Sequence, residues 1–141
     1  MISLVMDTSN SYLAVGLYQD NVCLEAFQEK GSRRQSEKAI PTLKEVLDRH
    51  HIALKDVNEM IITSGPGSYT GVRVAMTIAK TLAAVSDVKI KSVSSLAAYA
   101  GMNQALSVID VRGHKVFVGV YENGLPLMKE QVMTLEDFAQ L

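Results

Sequence analysis

Asp7, Thr8 and Ser9 directly follow a short apolar run, and at a strand end this trio can present a carboxylate and two hydroxyls to a phosphate or a hydrated Mg²⁺. The same residue types close Asx and Ser/Thr turns, so both readings stand on local sequence. Gly65-Pro66-Gly67-Ser68-Tyr69-Thr70-Gly71 is the second candidate, because it joins an apolar run at 60–62 to a helix whose first amides can face an anion. Its spacing matches neither G-x-G-x-x-G nor Walker A, and no lysine follows Gly71, so a P-loop is excluded. The glycines equally suit a tight strand-to-helix turn with Thr70 as N-cap. The candidate phosphate contacts are Asp7, Thr8, Gly65, Gly67, Ser68 and Thr70.

No catalytic residue or metal ligand emerges elsewhere. His50 and His51 are adjacent at a predicted helix end and His114 follows Gly113, so no H-x-x-x-H or H-E-x-x-H pair places two imidazoles on one helix face. The first two suit the negative end of a helix dipole. Cys23 is single and strand-borne, and there is no G-x-S-x-G elbow, which leaves nucleophilic hydrolysis without support. Residues 110–114 read as a hairpin turn in which Arg112 pairs with Asp110 or an external acid, a surface contact worth about 0 to 1 kcal/mol.

The elements that position these residues follow from periodicity. Runs at 2–6, 12–18 and 22–27 alternate as strands, and Gln19, Asp20 and Asn21 permit only an antiparallel hairpin between the last two. Past a polar segment at 31–35 the period becomes 3.6, with Ala39, Ile40, Leu43, Val46 and Leu47 on one stripe and Pro41 a turn inside. The run at 60–62 then predicts a buried strand parallel to its neighbours, giving the order βββαβ. A second helix fills 70–85, a short run stands at 88–90, and a third helical stretch covers 96–102. A new meander starts at 106–109, continues at 116–121 and 127–133 around the Asn123-Gly124 turn, and ends where Thr134 and Glu136 open another helix. The expected division is a first lobe at 1–103 and an incomplete second lobe at 104–141.

The second helix is unusually apolar: ten of the fourteen residues at 72–85 are aliphatic, Ala or Met, more than one buried face requires. At ~100° per residue, Val74, Ile78, Leu82 and Val85 form one stripe and Val72, Ala75, Met76, Ala79 and Ala83 another, with Arg73, Thr77, Lys80 and Thr81 between. The expectation is that one stripe covers the sheet and the alanine-rich one lets a second helix approach closely, whether from this chain or a partner.

Composition bounds the function classes. Length and 48% hydrophobic content provide one compact domain, or one lobe and part of another. The 14 basic and 15 acidic residues are spread without blocks, which argues against a stand-alone nucleic-acid binder. The lone cysteine excludes an internal disulfide framework and fits a reducing compartment. With neither a basic n-region nor a run near the ~18 apolar residues of a spanning helix, the expectation is a soluble, cytoplasmic protein with no membrane partner.

Three stretches carry a wider resemblance: TSGPGSYTGVRVAMTIAKTLA at 63–83, MDTS at 6–9 and DVRGHKVFVGVY at 110–121. Together they resemble the TsaB family, also called YeaZ, the non-catalytic subunits of bacterial tRNA threonylcarbamoyladenosine synthesis. The resemblance spans essentially the whole chain. It implies an α/β fold of the ASKHA (actin/Hsp70-like ATPase) class, with an RNase H-like βββαβα lobe and the start of a second, similar lobe. Family members are longer, so the chain resembles an N-terminal fragment.

The resemblance also implies partners. In the family, the catalytic paralogue TsaD carries the metal-binding histidines and transfers the threonylcarbamoyl group to tRNA, and the ATPase TsaE joins the pair. tRNA would be met only through that complex, and an adenine nucleotide at the interface of the assembled complex is the only cofactor implied. The family's pairing surface falls here on the first two helices, with Ile40, Leu43, Leu47, Val72, Ala75, Met76, Ala79 and Ala83 as interface residues. On that expectation Ala79→Arg abolishes pairing and leaves the lobe folded. An exposed apolar face makes a homodimer the expectation when the partner is absent. The alternative is a small ASKHA-type phosphotransferase or ATPase using Asp7 for Mg²⁺ and the 65–71 loop for phosphate. A glycoprotease-like peptidase would need metal ligands that this sequence does not supply.

Overall fold

The computed structural model describes residues 1–30, 35–111 and 113–140, with Gln35 described by its backbone only. The predicted polar segment at 31–35 and the Arg112 pairing therefore lie outside the described side chains. The chain divides into two compact units, Met1–Val93 and Ser94–Leu141, ten residues before the expected boundary.

The first unit opens with β1 (Ile2–Asp7), β2 (Tyr12–Gln19) and β3 (Val22–Lys30), an antiparallel meander. Asp20 and Asn21 turn the second hairpin at φ 49° and 67°, the paired left-handed geometry of a tight two-residue loop. Helix α1 (Gln35–Arg49) runs through Pro41, and His51 at φ 55° ends it, with the Ile52 amide donating back to the Leu47 carbonyl. A 3₁₀ turn (Leu54–Asp56), not foreseen from sequence, leads into β4 (Glu59–Thr63), which pairs parallel with β1. Helix α2 (Tyr69–Val85) crosses to β5 (Lys89–Val93), and the strand order is β3-β2-β1-β4-β5.

Register decides which sheet face is buried. Leu4 stands opposite Leu17 and Met60, and Met6 opposite Val15 and Ile62, and all six are at most 3% exposed. Ala39, Leu43, Val46, Ala75, Ile78 and Ala79 join the same core, so α1 and α2 both cover this face. The opposite face is partly polar. There Glu59 accepts from the Ser3 hydroxyl and pairs with Lys91 at 2.8 Å, and these two donors hold its carboxyl below the ordinary range.

In the second unit, α3 (Ser95–Ala100) is capped by Ser94, which accepts from the Leu96 and Ala97 amides, and it packs on the following sheet. That packing places 94–103 with the second unit. Strands β6 (Ala105–Val111) and β7 (Lys115–Glu122) pair antiparallel. Of the strand predicted at 127–133 only the end forms, as β9 (Gln131–Thr134), and a two-residue β8 (Leu125–Pro126) precedes it, both on β7. Thr134 caps α4 (Leu135–Phe138) by accepting from the Asp137 amide.

The two meanders repeat one device. Val15-Gly16-Leu17-Tyr18 and Val118-Gly119-Val120-Tyr121 lie on the middle strands, and in each the glycine makes room for the tyrosine ring. A Cβ would lie 2.9 Å from the Tyr18 ring at Gly16, and 2.6 Å from the Tyr121 ring at Gly119. Among the described residues, no helix is long and apolar enough to cross a membrane.

Candidate functional site

Asp7 ends β1 beside Thr63 at the end of β4, because the two strands run parallel and finish together. One oxygen of the Asp7 carboxylate accepts from the Ser9 amide at 2.8 Å, the Ser9 hydroxyl at 2.6 Å and the Thr63 hydroxyl at 2.6 Å. That oxygen is committed to tying the end of β1 to β4.

Thr8 is 0% exposed, and its hydroxyl donates to the Gly71 carbonyl at 2.5 Å. A phosphate contact by Thr8 is therefore ruled out: the side chain has no path to solvent and its donor is used inside the fold. The 65–71 loop lies directly on the 8–9 turn, with the Ser68 amide donating to the Ser9 carbonyl at 2.7 Å. A Cβ on Gly67 would stand 2.3 Å from the Ser9 carbonyl oxygen, and one on Gly71 1.8 Å from the Thr8 carbonyl oxygen. These glycines serve backbone-to-backbone approach. Ser68, not Thr70, is the N-cap of α2, accepting from the Gly71 amide at 3.1 Å, and Thr70 sits inside the first turn. Asp7, Thr8, Gly65, Gly67, Ser68 and Thr70 are thus gathered at one end of the sheet, with Thr8 buried and Gly67, Ser68 and Thr70 exposed.

The helical layer differs from expectation in which stripe faces out. Gly71, Ala75, Ile78 and Ala79 are the buried residues of α2, with Ala75 and Ala79 at 0% exposure. Small residues every fourth position bring the α2 backbone down onto β1, β4 and β5. Ala75 and Ala79 are therefore core residues rather than interface residues, and Ala79→Arg is a core mutation. Leu43 and Leu47 on α1 are likewise nearly buried, at 4% and 7%. Val72, Met76 and Ala83 are half-buried, and only Ile40 of the expected set is well exposed, at 51%.

Two grooves open on this layer. One of about 310 Å³ brings Ile40, Leu43 and Leu47 of α1 together with Leu82 of α2 and Ile52 and Leu54. The other, about 430 Å³, is lined by Ser36, Tyr69, Thr70, Arg73, Val74, Thr77 and Ile78. Tyr69 and Val85 stand out as surface residues, 74% and 72% exposed, and the sequence reading missed both. A stripe extended back to residue 69 at spacings of three and four would have found Tyr69. Val85 ends the helix, where the stripe expected to cover the sheet runs beyond it.

A charged cluster joins β3 to the end of α1. Glu25 accepts from Arg49 at 2.5 Å and lies 2.9 Å from a His50 ring nitrogen. The Arg49 hydrogen bond, helped by His50, brings the Glu25 carboxyl down to about 2. Among the described residues, no group of three or more His, Cys, Asp or Glu is placed to hold a metal.

Comparison with known proteins accords with this architecture. A model of the family described as "TsaD: tRNA N6-adenosine threonylcarbamoyltransferase" matches residues 28–140. The "tRNA threonylcarbamoyladenosine biosynthesis protein TsaB" of Bacillus subtilis (strain 168) is 31% identical over all of this chain and 66% of its own length. The solved structure of YeaZ from Pseudomonas aeruginosa superposes with a TM-score of 0.83 at 26% identity, over 94% of this chain and 67% of that one. The chain thus spans about two thirds of the length of these relatives. At the level of fold alone, the ethanolamine utilization protein EutJ from Carboxydothermus hydrogenoformans matches 95% of this chain and 52% of its own, with a TM-score of 0.54 at 14% identity. The α/β architecture is that of the ASKHA class, and the chain belongs to the TsaD-related family of tRNA threonylcarbamoyladenosine proteins, on its TsaB (YeaZ) branch.

Proposed function

We propose that this chain acts in tRNA N6-threonylcarbamoyladenosine biosynthesis as a non-catalytic docking subunit. It holds a TsaD-type catalytic paralogue through the α1–α2 layer, a TsaE-type ATPase joins the pair, and tRNA is met only through the complex. The observation that carries this reading is the state of that layer. Ile40 and Tyr69 are exposed in the linings of the two grooves and Val85 is exposed at the end of α2, more apolar surface than a helix pair needs to cover its own sheet.

The packed 8–9 and 65–71 turns support the non-catalytic half of the proposal. A phosphotransferase needs an open phosphate turn at the end of β1, and here Thr8 is buried against Gly71. The adenine nucleotide implied for the assembled complex belongs to this proposal only at its interface, outside the Thr8–Gly71 contact. The cytoplasm, as the compartment of tRNA modification, is part of the same reading.

The experiment is size-exclusion co-elution of this chain with a TsaD-type protein, using Val85→Arg and Ile40→Arg as surface variants. Loss of the complex with unchanged thermal unfolding supports the reading. An undiminished complex in both variants contradicts it.

A further inference from the structure

The second unit repeats the glycine and tyrosine pairing of the first and adds a carboxylate to it. On β7, Gly119 leaves room for the Tyr121 ring, and a Cβ there would lie 2.8 Å from the phenolic oxygen. Tyr121 is 2% exposed, and its hydroxyl donates to Glu130 on the segment between β8 and β9. In the first unit Tyr18 has Cys23 beside it in place of a carboxylate, so the packing of such a ring does not itself require Glu130. Tyr121 and Glu130 line a groove of about 740 Å³ whose apolar walls are Ala97 of α3 with Pro126, Leu127 and Met128.

Among the described residues, Glu130 accepts one hydrogen bond, from Tyr121, and forms no ion pair, not even with the adjacent Lys129 at the border of the groove. Its second oxygen is therefore available. Every ion pair among the described residues lies in the first unit. Histidine aside, residues 94–141 carry five acids against three bases, whereas 1–93 carry ten against eleven, so the uncompensated negative charge belongs to the second unit. A half-buried carboxylate beside apolar walls gains when a cation reaches it. A long basic side chain supplies both parts, because its methylenes lie along apolar surface while its head meets the charge.

We propose that this groove is a docking site for a basic side chain of a partner polypeptide, with the stem along Leu127 and Met128 and the cationic head on the free oxygen of Glu130. Tyr121 is a positioning residue that engages one oxygen and leaves the other to the ligand. Leu125 and Leu127, 68% and 55% exposed, extend the apolar surface on the same segment, which a peptide with apolar neighbours covers and a free amine does not. The site lies wholly within the second unit and does not depend on the helical layer of the first.

Titration of the isotope-labelled full chain with the acetylated, amidated tripeptide leucine-lysine-leucine, followed by amide chemical shifts, tests this. Shifts are expected at Tyr121 and along 124–130. Norleucine in place of the lysine keeps the stem and removes the charge, and both it and Glu130→Gln are expected to weaken binding about tenfold. Added salt is expected to weaken the lysine peptide and to spare the norleucine one. Unchanged thermal unfolding verifies the fold of Glu130→Gln, and the norleucine comparison needs no variant. Equal binding of the two peptides, or undiminished binding by folded Glu130→Gln, overturns the charge assignment. Butylamine binding as tightly as the lysine peptide overturns the polypeptide assignment, and an absence of shifts at these residues overturns the site as a whole.

Discussion

Thr8 and Gly71 share one small space: the Thr8 hydroxyl donates to the Gly71 carbonyl at 2.5 Å, and a Cβ on Gly71 would lie 1.8 Å from the Thr8 carbonyl oxygen. Only a residue without a side chain lets the first turn of α2 reach the end of β1. Gly71→Ala is therefore expected to destabilise the chain by roughly 3 kcal/mol, since the clash is with backbone that cannot rotate away. Gly113→Ala is the control. It has φ +81° but no atom within 4 Å of the new Cβ, so backbone strain alone applies, about 1 kcal/mol. Urea unfolding of both variants checks the ordering.

Ala79→Arg is expected to unfold the first unit rather than to separate a complex. The side chain would enter a site at 0% exposure among Ala75, Ile78 and the sheet, with a cost above about 4 kcal/mol. Val85→Arg, at a position 72% exposed, is expected to change stability by no more than about 0.5 kcal/mol. Thermal melts of the two variants should differ widely, and equal melts would refute the assignment of the alanine stripe to the core.

The Glu25 cluster makes a prediction about acid. Arg49 and His50 bring the Glu25 carboxyl from its ordinary 4.5 down to about 2, so the folded state binds the proton less readily than the unfolded chain. Its stabilising effect is then fully present above pH 4.5 and is lost as pH falls toward 2. The difference in urea midpoint between the unmodified chain and Glu25→Gln is expected to hold steady from about pH 6 to 5 and to shrink below. A difference that grows on acidification would contradict the pairing.

Tyr121 offers the opposite sign. Burial first, and then its hydrogen bond to Glu130, push the phenol up to about 12. The neutral phenol is favoured in the folded state, so this stabilisation is present below pH 10 and is lost as pH rises from 10 to 12. Ultraviolet titration of the unmodified chain against Tyr121→Phe should show one late-ionising tyrosine disappear.

The meanders were legible in the sequence because alternation has a period of two and Asp20-Asn21 and Asn123-Gly124 tolerate positive φ, which is local information. The parallel placement of β4 was legible for a related reason: a helix between strands leaves little other topology. The orientation of α2 was not legible, because alanine suits both a close helix-sheet contact and a close helix-helix contact. Only the position of the Thr8 carbonyl against Gly71 decides between them. The choice of Ser68 over Thr70 as cap is of the same kind, since two hydroxyls two residues apart are chemically equivalent until the backbone is placed. Thr8 looked like a ligand for want of knowing that its hydroxyl would meet Gly71, 63 residues away.

The central claim is that the chain works by docking and contributes no chemistry of its own. The most direct measurement is threonylcarbamoyladenosine formation on tRNA in a reconstituted system containing TsaD- and TsaE-type proteins, run with the unmodified chain, with Asp7→Asn and with Val85→Arg. The account predicts that product forms only when the chain is present, persists with Asp7→Asn and is lost with Val85→Arg. Product that disappears with Asp7→Asn while Val85→Arg retains full yield would contradict it.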